Sequence, residues 1–402
     1  AMGGTQIAAP GDAETGSWNP AAPARLKRPS AQVAFSVDRV NGVLERTSYS
    51  FLSGVVRNTG SITPTRAAAS LASVDSLRLA YPLQLAGRTL VTSLAYRRQL
   101  SPPGRVDATY LFRHQSLYRF DYDHAYNGSG SGGFDTISVS VASEVASSVR
   151  LGATLHRWFG GTTASYRESY RYDIANYYGW DGAWTESLGD ELRLHVSGFS
   201  LDLGAQLSVE NKYFAGVVYR SGLTAGVDYS NAPSYENGYT HETSSARYSS
   251  RGSLVLPASI GAGAAVRLLP ALTVAVDHVR TRWSQARLES YARTTAQGAV
   301  PQPRDYIYPT MKPIDLVAQS DAGRSSAGAE YVLDVGRVQL PLRAGVFYQQ
   351  TYYDDGHTGA LGTTLGVGIR WRGVSVDTAW IRETAAGRYR RNSVRTSIGY
   401  AF

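Results

Sequence analysis

From Leu256 to Leu268 the chain sets Leu256, Ala258, Ile260, Ala262, Ala264, Val266 and Leu268 against Ser259, Gly261, Gly263 and Arg267. A period of two is a strand's period, because successive side chains point to opposite faces. The same pattern recurs in Leu365, Val367, Ile369 and Trp371 against Gly366, Gly368 and Arg370, and in Val374, Val376 and Trp380 against Ser375, Asp377 and Ala379. Leu90, Thr92, Leu94 and Tyr96 oppose Val91, Ser93, Ala95 and Arg97, while Phe199, Leu201, Leu203, Ala205 and Leu207 oppose Asp202, Gly204 and Gln206. One face is apolar and the other small, polar or charged, which restricts the chain to an all-β fold.

A soluble β-sandwich shares this period, but it buries the apolar face against a second sheet. A transmembrane barrel turns that face to lipid and lines its lumen with small and charged residues. The composition suits the barrel, with 41 Gly and 18% charged residues. No stretch reaches the 18 or so consecutive apolar residues that a membrane helix requires, the longest, Ala258 to Val276, being interrupted by Ser259, Gly261, Gly263, Arg267, Pro270 and Thr273. A closed barrel is the remaining way to satisfy every backbone group in a bilayer. Tyr96, Trp158, Trp283, Trp371, Trp380 and Tyr400 lie near strand ends, as interfacial girdles require. The last segment places Val394, Thr396, Ile398, Tyr400 and Phe402 on one face, and a final strand ending in Phe resembles the carboxy-terminal signature of bacterial outer-membrane barrels.

Other function classes find little support. There is no Cys, hence no disulfide framework, thiolate metal site or Cys nucleophile. The net charge of +8 comes from arginines spread along the chain rather than from a basic block, which argues against nucleic acid. The seven His, at 114, 124, 156, 195, 241, 278 and 357, show no metal-ligand spacing. Ser197 shares a strand face with His195, but such a pair is usually incidental, so no catalytic residue is assigned. Asp354 and Asp355 read as a solvated loop, and Gly128 to Gly133 lacks the Lys of a phosphate cradle. No cofactor or metal is expected. The first residues, AMGGTQ, contain neither the charged nor the apolar part of a signal peptide, so the chain reads as mature or trimmed.

Segments near 160–190, 225–250 and 284–320 show little period and are expected to be long extracellular loops, with tight turns at Leu268 to Pro270, Val335 to Arg337 and Arg372 to Gly373 on the periplasmic side. Those loops carry Tyr166, Tyr170, Tyr172, Tyr177, Tyr178 and Trp180, then Tyr229, Tyr235, Tyr239 and Tyr248. Tyr offers amphipathic contact area at low entropic cost, which suits either ligand capture or a girdle at lipopolysaccharide level.

Three stretches resemble the FadL/TodX family of outer-membrane transporters for hydrophobic compounds. The first, residues 1–26, carries a Gly/Ala segment, Gly11-Asp12-Ala13 and the motif Asn19-Pro20-Ala21. The second contains Leu256-Pro257, Asp277 and Trp283-Ser284-Gln285; the third runs from Gly328 to Tyr331 through Leu342-Arg343-Ala344-Gly345 to the final GYAF. The sequence departs from the family at Tyr352-Tyr353-Asp354-Asp355-Gly356.

The resemblance implies a fourteen-stranded barrel over residues 31–402, its lumen blocked by an amino-terminal hatch over residues 1–30. It implies capture of a fatty-acid-like ligand on the extracellular side and release sideways through a gap at a kinked third strand. On that reading Trp18, Asn19, Pro20 and Ala21 bind ligand or gate the hatch. Leu77, Leu79, Tyr81 and Pro82 mark the opening, if the third strand is Asp75 to Leu83, with Pro82 unable to donate to a ladder. Arg97, Arg267, Arg343, Arg370 and Arg395 lie on inward faces, as partners for the hatch, for neighbouring carboxylates or for a ligand head group. A complete barrel has no free edge, so a monomer in contact with lipid and lipopolysaccharide is expected. A general diffusion porin and a surface adhesin or secretion scaffold are the rival readings.

Overall fold

The computed structural model describes residues 2–9, 16–42, 47–53, 56–85, 87–100, 105–115, 119–177, 180–231, 234–237, 242–245, 248–291, 320–350, 359–385 and 389–402. Fourteen antiparallel strands form one closed sheet. β1 comprises Ser30–Gly42 and Thr47–Ser53, β2 is Val56–Leu85, and β3 comprises Arg88–Leu100 and Arg105–Gln115. β4 is Arg119–Ala146, β5 Val149–Tyr177 and β6 Trp180–Val209. β7 joins Tyr213–Arg220, Leu223–Asn231 and Ser234–Asn237; β8 joins Thr243–Ser245, Tyr248–Leu256 and Ser259–Leu269; β9 joins Leu272–Thr281 and Arg287–Tyr291. β10 to β14 are Ala322–Val335, Val338–Gln350, Gly359–Trp371, Val374–Ala385 and Tyr389–Ala401. The barrel closes where β1 pairs β14, from Ser30 opposite Ala401 to Gly42 opposite Tyr389.

The outer face carries the apolar sets read from the sequence. Leu79 is 58% exposed, Ile260 62% and Phe402 63%, with Leu94, Leu203, Leu365, Ile369, Trp371, Val394, Ile398 and Tyr400 also exposed. The alternate residues Ser93, Gln206, Ser393 and Ser397 are buried on the inner side. Exposure of this many large apolar groups is untenable in water, where each costs about 1.5–3 kcal/mol relative to burial, and is what lipid requires. No helix among the described residues is long and apolar enough to cross a membrane; strands do the crossing. The chain is an outer-membrane β-barrel.

Strand length divides the wall. β10 to β14 have 12–14 residues, enough for the apolar band, while β2, β4, β5 and β6 have 28–30. At about 3.3 Å per residue and a tilt near 40°, the long strands rise roughly 70 Å, well beyond a band about 25 Å tall. The segment 160–190, expected to be a loop, is therefore a continued hairpin, paired from Arg167 opposite Gly189 up to Tyr177 opposite Trp180. Much of 225–250 is likewise strand. These stretches lack apolar alternation because both faces stand above the lipid. Of the third expected loop, residues 292–319 lie outside the described residues, as do Tyr178, Tyr239 and Tyr352 to Gly356.

The tight turns fall where expected, at 270–271, 336–337 and 372–373, with Gly336, Arg372 and Gly373 at positive φ as two-residue hairpin turns demand.

A second departure concerns phase. In β7 and β8 the alternation inverts at Ser221-Gly222 and at Pro257-Ala258, and β9 is interrupted nearby by a 3₁₀ turn at Trp283–Gln285. Below the break Val217 and Ile260 face outward; above it Thr224, Gly226 and Asp228 are exposed while Leu223, Ala225 and Val227 are buried. Leu256, assigned from the sequence to the same face as Ile260, belongs to the inner set, because the two-residue break changes the face.

Candidate functional site

Residues 2–9 and 16–29 lie within the barrel. Their contacts reach β2, β5, β6, β7, β8, β9, β10, β11 and β12, a spread around the circumference that only an internal segment can make. Glycine on the wall permits the approach. A Cβ at Gly152 would strike the Pro20 carbonyl, one at Gly204 the Asn19 side chain, one at Gly216 the Ile7 carbonyl, and those at Gly328 and Gly345 the Met2 and Gly3 main chain. Gly152 is paired with Gly204, Gly263 with Gly216, and Gly328 with Gly345, so the wall presents a backbone-only track.

Asn19 fixes the segment. It is fully buried; its Nδ2 donates to the carbonyls of Ile7 (2.8 Å), Ala205 (3.2 Å) and Val217 (3.3 Å), and its Oδ1 accepts the Ala21 amide at 3.0 Å. Pro20, with φ preset, and Ala21 are buried beside it, and a short 3₁₀ turn follows over Ala22–Arg25. Trp18 is partly buried, its ring against Gly4 and bordering the lumen cavity, and its carbonyl accepts from Arg220 Nη2 at 2.9 Å. Gln206 Nε2 adds a bond to the Ile7 carbonyl at 2.9 Å. At the other end Asp277 Oδ2 accepts the amides of Gln6 (2.6 Å) and Ile7 (2.9 Å), leaving Oδ1 buried without a hydrogen-bond partner. Arg25 stands over the Phe214 ring, shared with Arg267; burial, then the neighbouring Arg150 and Arg267, bring the Arg25 guanidinium down to about 10.

The arginines separate into roles. Arg343 pairs with Glu330 at 2.6 Å and with Asp377, and Arg370 reaches Glu330 at 4.0 Å, which makes both lumen-wall ion pairs. Arg97 and Arg395 line the cavity without an ion pair among the described residues.

A polar tie that the sequence does not reveal runs across β4, β5 and β6. Ser138 bonds His156 Nδ1 at 2.7 Å, Asp202 reaches His156 Nε2 at 3.3 Å and Arg220 at 3.6 Å, and Arg220 in turn holds Trp18. The pair noted in the sequence, His195 and Ser197, sits on an exposed outward face instead.

The segment 75–83 belongs to β2, not to the third strand. Pro82 is paired with Val91, and the ladder continues to Leu85 opposite Arg88. Since β1 pairing ends at Ser30 opposite Ala80, Pro82 has no ladder on that side to break. Leu77, Leu79 and Tyr81 are exposed belt residues of an intact strand. The irregularity lies farther along: β2 pairs β3 through Ser76 opposite Arg97 and resumes at Ser70 opposite Arg105, so Leu71 to Asp75 have no partner on β3 among the described residues. Register also shifts there against β1 and between β3 and β4.

Above the amino-terminal segment the inner wall turns apolar. Phe134, Val196, Leu223, Ala225 and Val227 cluster with Trp158, Leu194, Leu254 and Leu256. Higher still, His124 stacks on Tyr170 (4.3 Å), Tyr170 on Tyr172 (6.2 Å) and Tyr172 on Trp184 (4.8 Å). Glu168 anchors the row, reaching His124 at 3.1 Å and accepting the Tyr170 hydroxyl at 2.5 Å; these bonds, that from His124 foremost, hold its carboxyl below the usual range.

Solved structures match this architecture over the whole chain. A Pseudomonas aeruginosa FadL homologue aligns at TM-score 0.60 and 15% identity, covering 100% of this chain and 96% of the other. The chain has the fold of the FadL-type channels. The CymD monoaromatic hydrocarbon channel aligns at 0.55 and 15% identity, covering 100% and 96%, and the Ralstonia pickettii toluene transporter TbuX at 0.58 and 13%, covering 100% and 97%. No family model and no curated protein matches the sequence.

Proposed function

We propose that this FadL-type barrel is a channel for passive uptake of hydrophobic compounds, either long-chain fatty acids or monoaromatic hydrocarbons like those its structural relatives are named for. The carrying observation is a pair of apolar patches on the inner wall, the Tyr170, Tyr172 and Trp184 row above and the cluster of Phe134, Trp158, Val196, Leu223 and Val227 below it. A pore for hydrated solutes gains nothing from such a wall, whereas a greasy ligand is desolvated along it at about 25 cal/mol per Å². Residues 1–30 serve as the hatch, held by Asn19 and Asp277. The unpaired stretch Leu71 to Asp75 beside β3 is the candidate lateral exit, and its place near the upper limit of the belt supports release into the membrane.

The test is uptake of labelled oleate and of toluene by a host lacking its own hydrophobic-compound channel. The channel is expected to raise uptake of at least one, and Val227→Asp or Tyr172→Ala with Trp184→Ala to lower it several-fold. Uptake no greater than in the empty host would sink the proposal; sugar-sized solutes entering freely instead would favour a porin.

A further inference from the structure

The other half of the lumen has the opposite chemistry. A cavity of about 1440 Å³ runs beside the amino-terminal segment, bounded by β1 to β3 and β10 to β14. Its lining extends from Gln350, Ala360 and Glu383 at the extracellular ends of their strands to Gly336, Arg337, Arg372 and Gly373 in the periplasmic turns. Ten arginines and five carboxylates line it, with no lysine.

The five carboxylates do not neutralise this charge where it matters. Arg343 and Arg370 share Glu330 and Asp377, and Arg391 is held by Asp38 at 2.8 Å, outside the cavity lining. Arg324 is turned over the Phe347 ring at 4.0 Å and donates to the Gly3 carbonyl. Arg25 bonds Asn211 and stands over Phe214, Arg78 lies against Gly16, Arg372 stands over Trp371 and Arg337 lies in a periplasmic turn. On the strands that leaves Arg97 and Arg395, both inward, both exposed to the cavity, and neither with a side-chain ion pair or hydrogen bond among the described residues. They repel each other, and Arg220 adds to the repulsion on Arg97, with Asp75 and Asp202 as its opposing charges. Two like charges close together on one arc of wall, lining a confined aqueous space, raise the local concentration of counter-anions and exclude cations.

We propose that this side of the lumen is a water-filled, anion-selective passage for small hydrated anions, with Arg97 and Arg395 as its selectivity-determining pair. It is separate from the apolar wall and does not depend on the identity of any hydrophobic ligand.

The test uses the full-length protein in planar bilayers under a potassium chloride gradient. The expected result is a conductance whose reversal potential has the sign of chloride preference, which Arg97→Gln with Arg395→Gln reduces at least several-fold in permeability ratio. Arg251→Gln, on the outer surface, leaves it unchanged. Because the chain contains no Cys, Arg395→Cys provides a variant independent of the double substitution. A cationic thiol reagent should restore chloride preference and an anionic one should not. Absence of conductance by the folded protein, cation preference, or selectivity indifferent to both sets of variants would overturn the proposal.

Discussion

Asn19 illustrates how much a single amide can hold when every group on it is used. Its side chain bonds three carbonyls from three chain segments and one amide of its own turn. Asn19→Ala removes a donor from the Ala205 and Val217 carbonyls and leaves the Ile7 carbonyl to Gln206, a cost of about 1–3 kcal/mol. Limited proteolysis should then cleave residues 2–25 several-fold faster while the heat-resistant barrel persists. Glu168 makes a pH prediction. Its folded pKa is depressed, so its contribution is present above the unfolded carboxylate value and is lost as pH falls through the folded one. The protection of residues 165–175 against hydrogen exchange, corrected for the intrinsic pH dependence of the rate, should fall in acid below the ordinary glutamate range in the native protein, and Glu168→Gln should show the reduced protection already at neutral pH. The Asn-Pro-Ala motif was legible in the sequence because Pro and Asn have turn chemistry of their own. The Asp202 tie was not, since its members are far apart in the chain and ordinary singly.

The strands carry their information in phase. The inversion across β7 and β8 lets one chain direction supply Ile260 and Val217 to lipid and Leu223, Val227 and Leu256 to the lumen. Deleting Ser221 and Gly222 together carries the lower phase through, turning Leu223, Ala225 and Val227 outward and Asp228 inward. With each large apolar side chain worth about 1.5–3 kcal/mol, that deletion should abolish the heat-resistant folded band, whereas Ser221→Ala should keep it. Period-two reading found the belt strands β12 to β14 because lipid imposes a clean alternation on them. It missed the upper halves of β5 and β6, where water outside and aromatics inside leave no contrast, and it misnumbered β2 because a 30-residue strand resembles two.

Taken whole, the molecule is a membrane band with a tall wall on one side. A charge in the band is costly and one above it is not. Val367→Arg should destabilise folding into vesicles by about 2–4 kcal/mol in urea titration, and Thr224→Arg, exposed on the upper outer face, by less than about 1 kcal/mol. Sequence periodicity made the barrel legible at this scale, but not the partition of its lumen, which depends on which inward faces meet across the axis.

The glycine track has a further consequence. Beside the side chains of Asp277, Gln206 and Arg220, much of what the amino-terminal segment meets on the wall is main chain: carbonyls of 205 and 217, glycines at 152, 204, 216, 328 and 345. An interface written in main chain asks of the surrounding residues only that they stay small or keep their distance. Side chains elsewhere can then diverge widely without disturbing that contact, and the barrel architecture itself is shared with solved channels at only 13–15% identity.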